Sequence, residues 1–305
     1  MKPTFMALAL LVPALSSWAL EVHFQPVAAD VYAYVGDTGP RSIENEGLNA
    51  NIGLVVTPAG AVLIDSGATF QSARKIDEAI KKVTRQPVRW VINTGGQDHR
   101  WLGNGYFQAQ GAELIAHVTA RADMQSRGGD QLAALRALLG ERAEGTVATL
   151  PTRLPIGSDT RMELGGTVFE LRHRGGGHTP GDIMVWLPEK SVLFAGDIVY
   201  VNRLLAIIPV SNTQYWLDTF RVIQVLRPQV IVPGHGNVTD EATARAQTRA
   251  YLEALRAHMK RAVDSGIDVS DAVKSFDGTP FMHLLNADEL MAGNANRVYL
   301  EVERE

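Results

Sequence analysis

The chain has 305 residues, a net charge of −4 and 20% charged residues of both signs, which excludes a basic nucleic-acid-binding face. It contains no cysteine, so disulfides, thiolate catalysis and thiolate metal ligands are excluded, and any metal must be held by His, Asp or Glu. The length suits one large α/β domain or two small ones.

Lys2 precedes the apolar run "FMALALLVPAL", and "SSWA" ends with small residues at Ser17 and Ala19. This is the pattern of a secretory leader over residues 1–19, too short to span a bilayer of ~20 apolar residues. The expected mature chain starts near Leu20, is exported, and keeps no membrane anchor after cleavage. Without disulfides it must rely on a buried core.

"VYAYVG" (31–36), "NIGLVVT" (51–57) and "AVLIDSG" (61–67) read as short strands separated by turn signals. "SARKIDEAIKKV" (72–83) places Ile76, Ala79, Ile80 and Val83 on one helical face. "VRWVINT" (88–94) reads as a strand buried on both faces. "GAELIAH" (111–117) reads as a strand entering the helix "VTARADMQ", with His117 as its cap or as a residue supporting the site from behind. Strands are expected at 167–173, 182–188 and 191–197, a helix at 213–226 and a strand at 229–236. A long helix is expected over 240–266, with Asp240 as N-cap. The last forty residues read as a helical addition. The order predicts two α/β halves packed sheet on sheet, with helices outside. The expected division is a domain over 20–264 and a helical C-terminal extension of it over 265–305.

The chemistry gathers at strand ends. Asp65 ends one strand, and "INTGGQDHRWLGNG" (92–105) follows the next. His178 opens "HTPGD", Asp197 closes "LFAGD", and His235 lies in "VPGHG". Glycine beside each group lets the backbone turn tightly. Strand ends of one sheet converge, so His and Asp on several of them predict a metal centre.

"NIGLVVTPAGAVLIDSG", "GHTPGD", "LFAGD" and "VPGHG" resemble, in order, four of the five signatures of the metallo-β-lactamase superfamily. The resemblance implies a four-layer αββα sandwich, with His178, Asp197 and His235 as metal ligands and Asp65 as a structural carboxylate behind the metal. The remaining signature, H-x-H-x-D-H, is altered. An ungapped alignment places Gly95 and Gln97 on the first two histidines, His99 on the aspartate and Arg100 on the last histidine. A shift of one residue instead matches Asp98 and His99 to the family's "DH". Either way the paired histidines are missing.

The full family site uses five histidines and two carboxylates. This chain offers at most Asp98, His99, His178, Asp197 and His235, with Gln97 as a weak oxygen donor. One metal, or two held unequally, is therefore expected; zinc is the default, with iron and manganese also compatible. Asp98 or His99 is the expected catalytic group acting on water, and Gln97, Arg100 and Arg203 are candidate substrate contacts. The implied activity is hydrolysis of an ester, lactone, thioester or amide. A β-lactam is a further alternative, and a non-hydrolytic metal-binding or maturation factor is the rival. "QDHRWLGN" and the terminal "NANRVYLEVE" resemble the quinoprotein relay system zinc metallohydrolase branch. That implies a periplasmic small-molecule enzyme working beside a quinoprotein dehydrogenase. His23, His173, His258 and His283 are given no metal role.

Overall fold

The computed structural model describes residues 20–305; the expected leader lies outside the described residues. One sheet has six strands in sequence order: β1 (Gln25–Ala28), β2 (Val31–Tyr34), β3 (Ile52–Thr57), β4 (Gly60–Ile64), β5 (Val88–Ile92) and β6 (Glu113–Ile115). The other runs β11-β10-β9-β8-β7 and consists of β7 (Asp159–Leu164), β8 (Thr167–Arg172), β9 (Met184–Leu187), β10 (Val192–Tyr200) and β11 (Val230–His235). Both sheets are mixed: β4, β5 and β6 pair in parallel, as do β10 and β11, while the other pairs are antiparallel.

The helices are α1 (Phe70–Val83), α2 (Asp98–Trp101), α3 (Asn104–Ala109), α4 (Val118–Leu139), α5 (Thr213–Leu226), α6 (Glu241–Ala244), α7 (Ala250–Asp264), α8 (Val269–Lys274) and α9 (Ala287–Val302). No helix among the described residues is long and apolar enough to cross a membrane.

Alternation along the strands builds the layers. Val55, Val62, Ile64 and Ile92 of the first sheet meet Phe169, Val185, Val192 and Phe194 of the second in one buried cluster. On the opposite face of the first sheet, Leu54, Leu63 and Val91 pack on Ile76 and Ile80 of α1. On the opposite face of the second, Leu193 and Ile231 pack with Trp216 and Phe220 of α5 and with Tyr251 and Leu255 of α7. The result is the four-layer αββα arrangement. Ala272 of α8 and Val298 of α9 join this last cluster, so the C-terminal helices complete an outer layer.

Two differences from the sequence pattern have local causes. Helix α4 runs through Gly128 and Gly129 to Leu139, well past the expected "VTARADMQ". Segment 240–266 is not one regular helix, because residues 245–249 form a π-helical turn between α6 and α7. Asp240 does cap its start, accepting from Thr243 N at 2.8 Å.

Two buried contacts on α4 make testable predictions. A Cβ on Gly181 would lie 2.1 Å from Ala120 Cα, so the "TPGD" turn approaches the α4 backbone as only glycine allows. Gly181→Ala is expected to lower stability by at least about 1–3 kcal/mol, the usual cost of overpacking, read from the urea midpoint. His117 caps the same helix, accepting from Thr119 N through Nδ1 at 3.3 Å, and stacks on His173 with ring centroids 3.9 Å apart. Burial, followed by the neighbouring His173, pushes its pKa down from 6.5 to about 4. The unfolded chain takes up this proton near pH 6.5 and the folded chain only near pH 4. The neutral imidazole therefore supports the fold above pH 6.5, and that support is lost as pH falls toward 4. Wild type is expected to lose roughly 1–3 kcal/mol more than His117→Gln between pH 7 and pH 4.5. Equal losses in urea titrations would show that His117 does not contribute.

Candidate metal centre

The fold brings His99, Asp197 and His235 together, with one donor atom from each within 4.8 Å of the others. His99 comes from α2, just after β5; Asp197 lies within β10; His235 ends β11. His99 Nε2 is 3.4 Å from Asp197 Oδ2, and His235 Nε2 is 3.2 Å from Asp197 Oδ1. All three are buried.

Outer contacts orient the rings. His235 Nδ1 faces Asn49 O at 2.8 Å, and His178 Nδ1 faces Ala206 O at 2.9 Å. A backbone carbonyl at Nδ1 fixes the proton there and leaves Nε2 as the bare nitrogen. Asn51 holds the β11 turn through Nδ2, which donates to Pro233 O at 2.9 Å and to Gly236 O at 2.7 Å.

Arg100 sits beneath the three donors, fully buried, and all five of its N–H groups are used. Nε donates to Asp197 Oδ2 at 3.1 Å, and Nη2 donates to Asp197 Oδ1 and to Gly234 O at 3.0 Å. Nη1 donates to Asp65 Oδ2 at 3.0 Å and to Asn51 O at 3.1 Å. Asp65 also accepts from Thr94 N and Thr94 Oγ1, both at 2.7 Å. One guanidinium thus bridges two buried carboxylates.

The charge states suit a metal. Burial raises the pKa of Asp197, but the Arg100 guanidinium outweighs it and holds the carboxyl well below its ordinary range. Burial pushes His99 well down, lowers His178 and brings His235 to about 4. Neutral imidazoles beside an ionised carboxylate are the protonation states a divalent ion requires. Each Asp197 oxygen keeps a second lone pair beside its bond to Arg100. His99, Asp197 and His235 therefore fit one metal. No second group of three such donors converges among the described residues.

The other expected site residues are placed as follows. His178 and Gln97 line the same pocket as His99 and His235 but stand outside the three-donor group. Asp98 does not join the group: its carboxylate is paired with Arg41 and accepts from His99 N at 2.9 Å. It is 2% exposed, and these two contacts hold its carboxylate away from the three donors. Arg100 is no substrate contact, because its donors are consumed below the pocket floor. At Gly95 a Cβ would lie 2.3 Å from Asp182 Oδ1, so the loop packs there with no room for a side chain.

The pocket holds about 350 Å³, with Arg41, Asn49, Leu138, Tyr200, Arg203 and Ile208 among its walls. Tyr200 stacks on His235 with ring centroids 4.6 Å apart, and burial raises its hydroxyl well above the usual range, so it remains protonated. Arg203 donates to Gly39 O at 3.1 Å and has no carboxylate partner among the described residues. Tyr200, Arg41, Asn49 and Asn51 were not singled out from the sequence. For Tyr200 the available signal was its position three residues after Asp197 on one strand. For the others no local signal existed.

Residues 45–235 match the family model described as the metallo-beta-lactamase superfamily. The chain belongs to the metallo-β-lactamase superfamily. Among its relatives, metallo-beta-lactamase type 2 of Bacillus sp. (strain 170) is 26% identical over 69% of this chain and 74% of that protein. 2,4-Dinitroanisole O-demethylase subunit alpha of Nocardioides sp. (strain JS1661) is 26% identical over 58% of this chain, and the match spans only 49% of that subunit. Among solved structures, a metallo-beta-lactamase from Pontibacter korlensis superposes with TM-score 0.61 at 23% identity, covering 76% of this chain and 99% of that one. The mono-zinc form of FIM-1 from Pseudomonas aeruginosa superposes with TM-score 0.60 at 19% identity, covering 77% and 96%. These superpositions establish the metallo-β-lactamase fold. The C-terminal helices are an addition to it.

Proposed function

We propose that the protein is an exported metal-dependent hydrolase that cleaves an ester, lactone, thioester or amide at a single His99/Asp197/His235 centre. The observation that carries this reading is the convergence of those three donors, in the protonation states a metal needs, with His99 and His235 lining a pocket. Zinc is the ion favoured by the family and by the donor types. A metal held there supplies Lewis acidity, polarising a carbonyl or ester oxygen and acidifying water at neutral pH.

The protein's own groups do the rest. His235 and His178 are held by the carbonyls of Asn49 and Ala206, so their rings are preset. Tyr200 carries its proton at neutral pH and is placed to donate it to a leaving group or a developing negative charge. Arg203, which lacks a carboxylate partner among the described residues, puts positive charge on the pocket wall and suits a substrate bearing a carboxylate. A role beside a periplasmic quinoprotein system belongs to this proposal and rests on the motif resemblance.

The test is a hydrolysis screen over esters, lactones, thioesters, amides and β-lactams, using zinc-loaded wild type and His235→Ala, which lacks one of the three donors. Wild type is expected to turn over one carboxylate-bearing class, with the variant at the uncatalysed background. A wild type that stays at the variant's background across every class would favour a metal-binding or maturation factor.

A further inference from the structure

Helix α9 reaches back to the loop that orients His178. Asn294 is 1% exposed and uses its whole amide on this loop and its neighbour Tyr251. Ile207 N donates to Asn294 Oδ1 at 2.8 Å, and Asn294 Nδ2 donates to Leu205 O at 2.8 Å and to Tyr251 Oη at 3.1 Å. The residue between the two gripped positions is Ala206, whose carbonyl meets His178 Nδ1. Seven residues on, two turns along the same face, Glu301 takes the far end of the loop. It accepts from Thr213 N at 2.8 Å and Thr213 Oγ1 at 2.9 Å, and Arg256 of α7 donates to it at 3.1 Å. Inside these two anchors, Ser211 Oγ donates to His178 O at 2.8 Å and accepts from Ile208 N at 3.0 Å.

We propose that Asn294 is a positioning residue for His178: by clamping Leu205 and Ile207 it fixes the Ala206 carbonyl that selects the Nδ1–H tautomer and aims the ring, while Glu301 anchors the other end of the loop. The C-terminal helix is then part of the site and not only a cover for the second sheet. The use made of His178 rests on the hydrolase reading above, whereas the clamp itself does not.

The test needs neither metal nor turnover. Metal-free wild type, Asn294→Ala and Asn294→Asp are labelled with 15N-histidine, and imidazole spectra are recorded at pH 7.5 with His178 and His235 assigned from H178Q and H235Q. Wild type shows His178 as a single Nδ1–H tautomer, and the His235 spectrum serves as the internal reference. In Asn294→Ala the Nδ1–H of His178 exchanges about tenfold faster, the loss of up to one hydrogen bond's net worth, and the Nε2–H form appears. Asn294→Asp keeps the acceptor for Ile207 N but sets an oxygen against Leu205 O, so it gives the same change. His235, held by Asn49 O and untouched by α9, stays as in wild type and separates repositioning from general loosening. If Asn294→Ala does not fold, Glu301→Ala takes its place and is expected to shift His178 in the same sense. A His178 ring that keeps a single protected Nδ1–H in folded variants overturns the proposal, as do equal changes at His178 and His235. A failed hydrolysis screen would leave this result untouched.

Discussion

Replacing Arg100 by methionine is expected to destabilise the fold by about 3–5 kcal/mol, the typical effect of leaving buried charge uncompensated. Asp197 and Asp65 are 2% and 1% exposed, and this guanidinium faces both. Without it, burial would push both carboxyls upward; Asp65 already stands at about 6 with Arg100 in place. Arg100→Lys should lose nearly as much, since one ammonium cannot present the planar fork that meets Asp197 through Nε and Nη2. Adding Asp65→Asn to Arg100→Met should recover part of the loss, because one of the two stranded charges is then gone. Urea denaturation of the four metal-free proteins checks this. An Arg100→Met midpoint equal to wild type would show that the bridge carries no net stability.

The second large effect separates the histidines. His235→Ala is expected to abolish tight metal binding, because it removes one of only three converging donors. His178→Ala should retain the metal, with affinity reduced no more than the about 10–100-fold typical of losing an outer partner. Competition with a chromogenic chelator measures both. A His178→Ala protein that releases its metal as fully as His235→Ala would place His178 among the ligands and displace the three-donor assignment.

Much of this arrangement was readable from the chain. In the sequence, His178, Asp197 and His235 each come after an apolar stretch and sit beside glycine, a combination with few uses other than a site at a sheet edge; in the fold Asp197 lies within β10, which continues to Tyr200. The layers followed from strands apolar on both faces, such as β4, and from the amphipathic stripe of α1; β5 is less buried than its sequence suggested, with Arg89 exposed. The altered loop was readable only up to its register, because Asp98 and His99 are neighbours and both are plausible donors. What separates them is direction. Residues 98–101 form a helical turn, so successive side chains diverge by roughly 100°. His99 is turned toward Asp197, Arg100 beneath it, and Asp98 away toward Arg41. Pairings across long separations, such as Arg41 with Asp98 or Asn294 with Leu205, leave no local periodicity to read. The passage of α4 through Gly128 and Gly129 was hidden for another reason. Its register comes from packing on Trp101 and Leu102, not from helix propensity.

In the proposed centre a buried arginine stands against the carboxylate that would hold a single metal. Metal analysis of zinc-saturated protein after gel filtration, paired with anomalous scattering from a crystal of the same sample, decides it. The expected result is one zinc per chain on His99, Asp197 and His235, with Arg100 still bound to Asp197. Two tightly held zinc ions per chain, or an ion coordinated by Asp98, would contradict it.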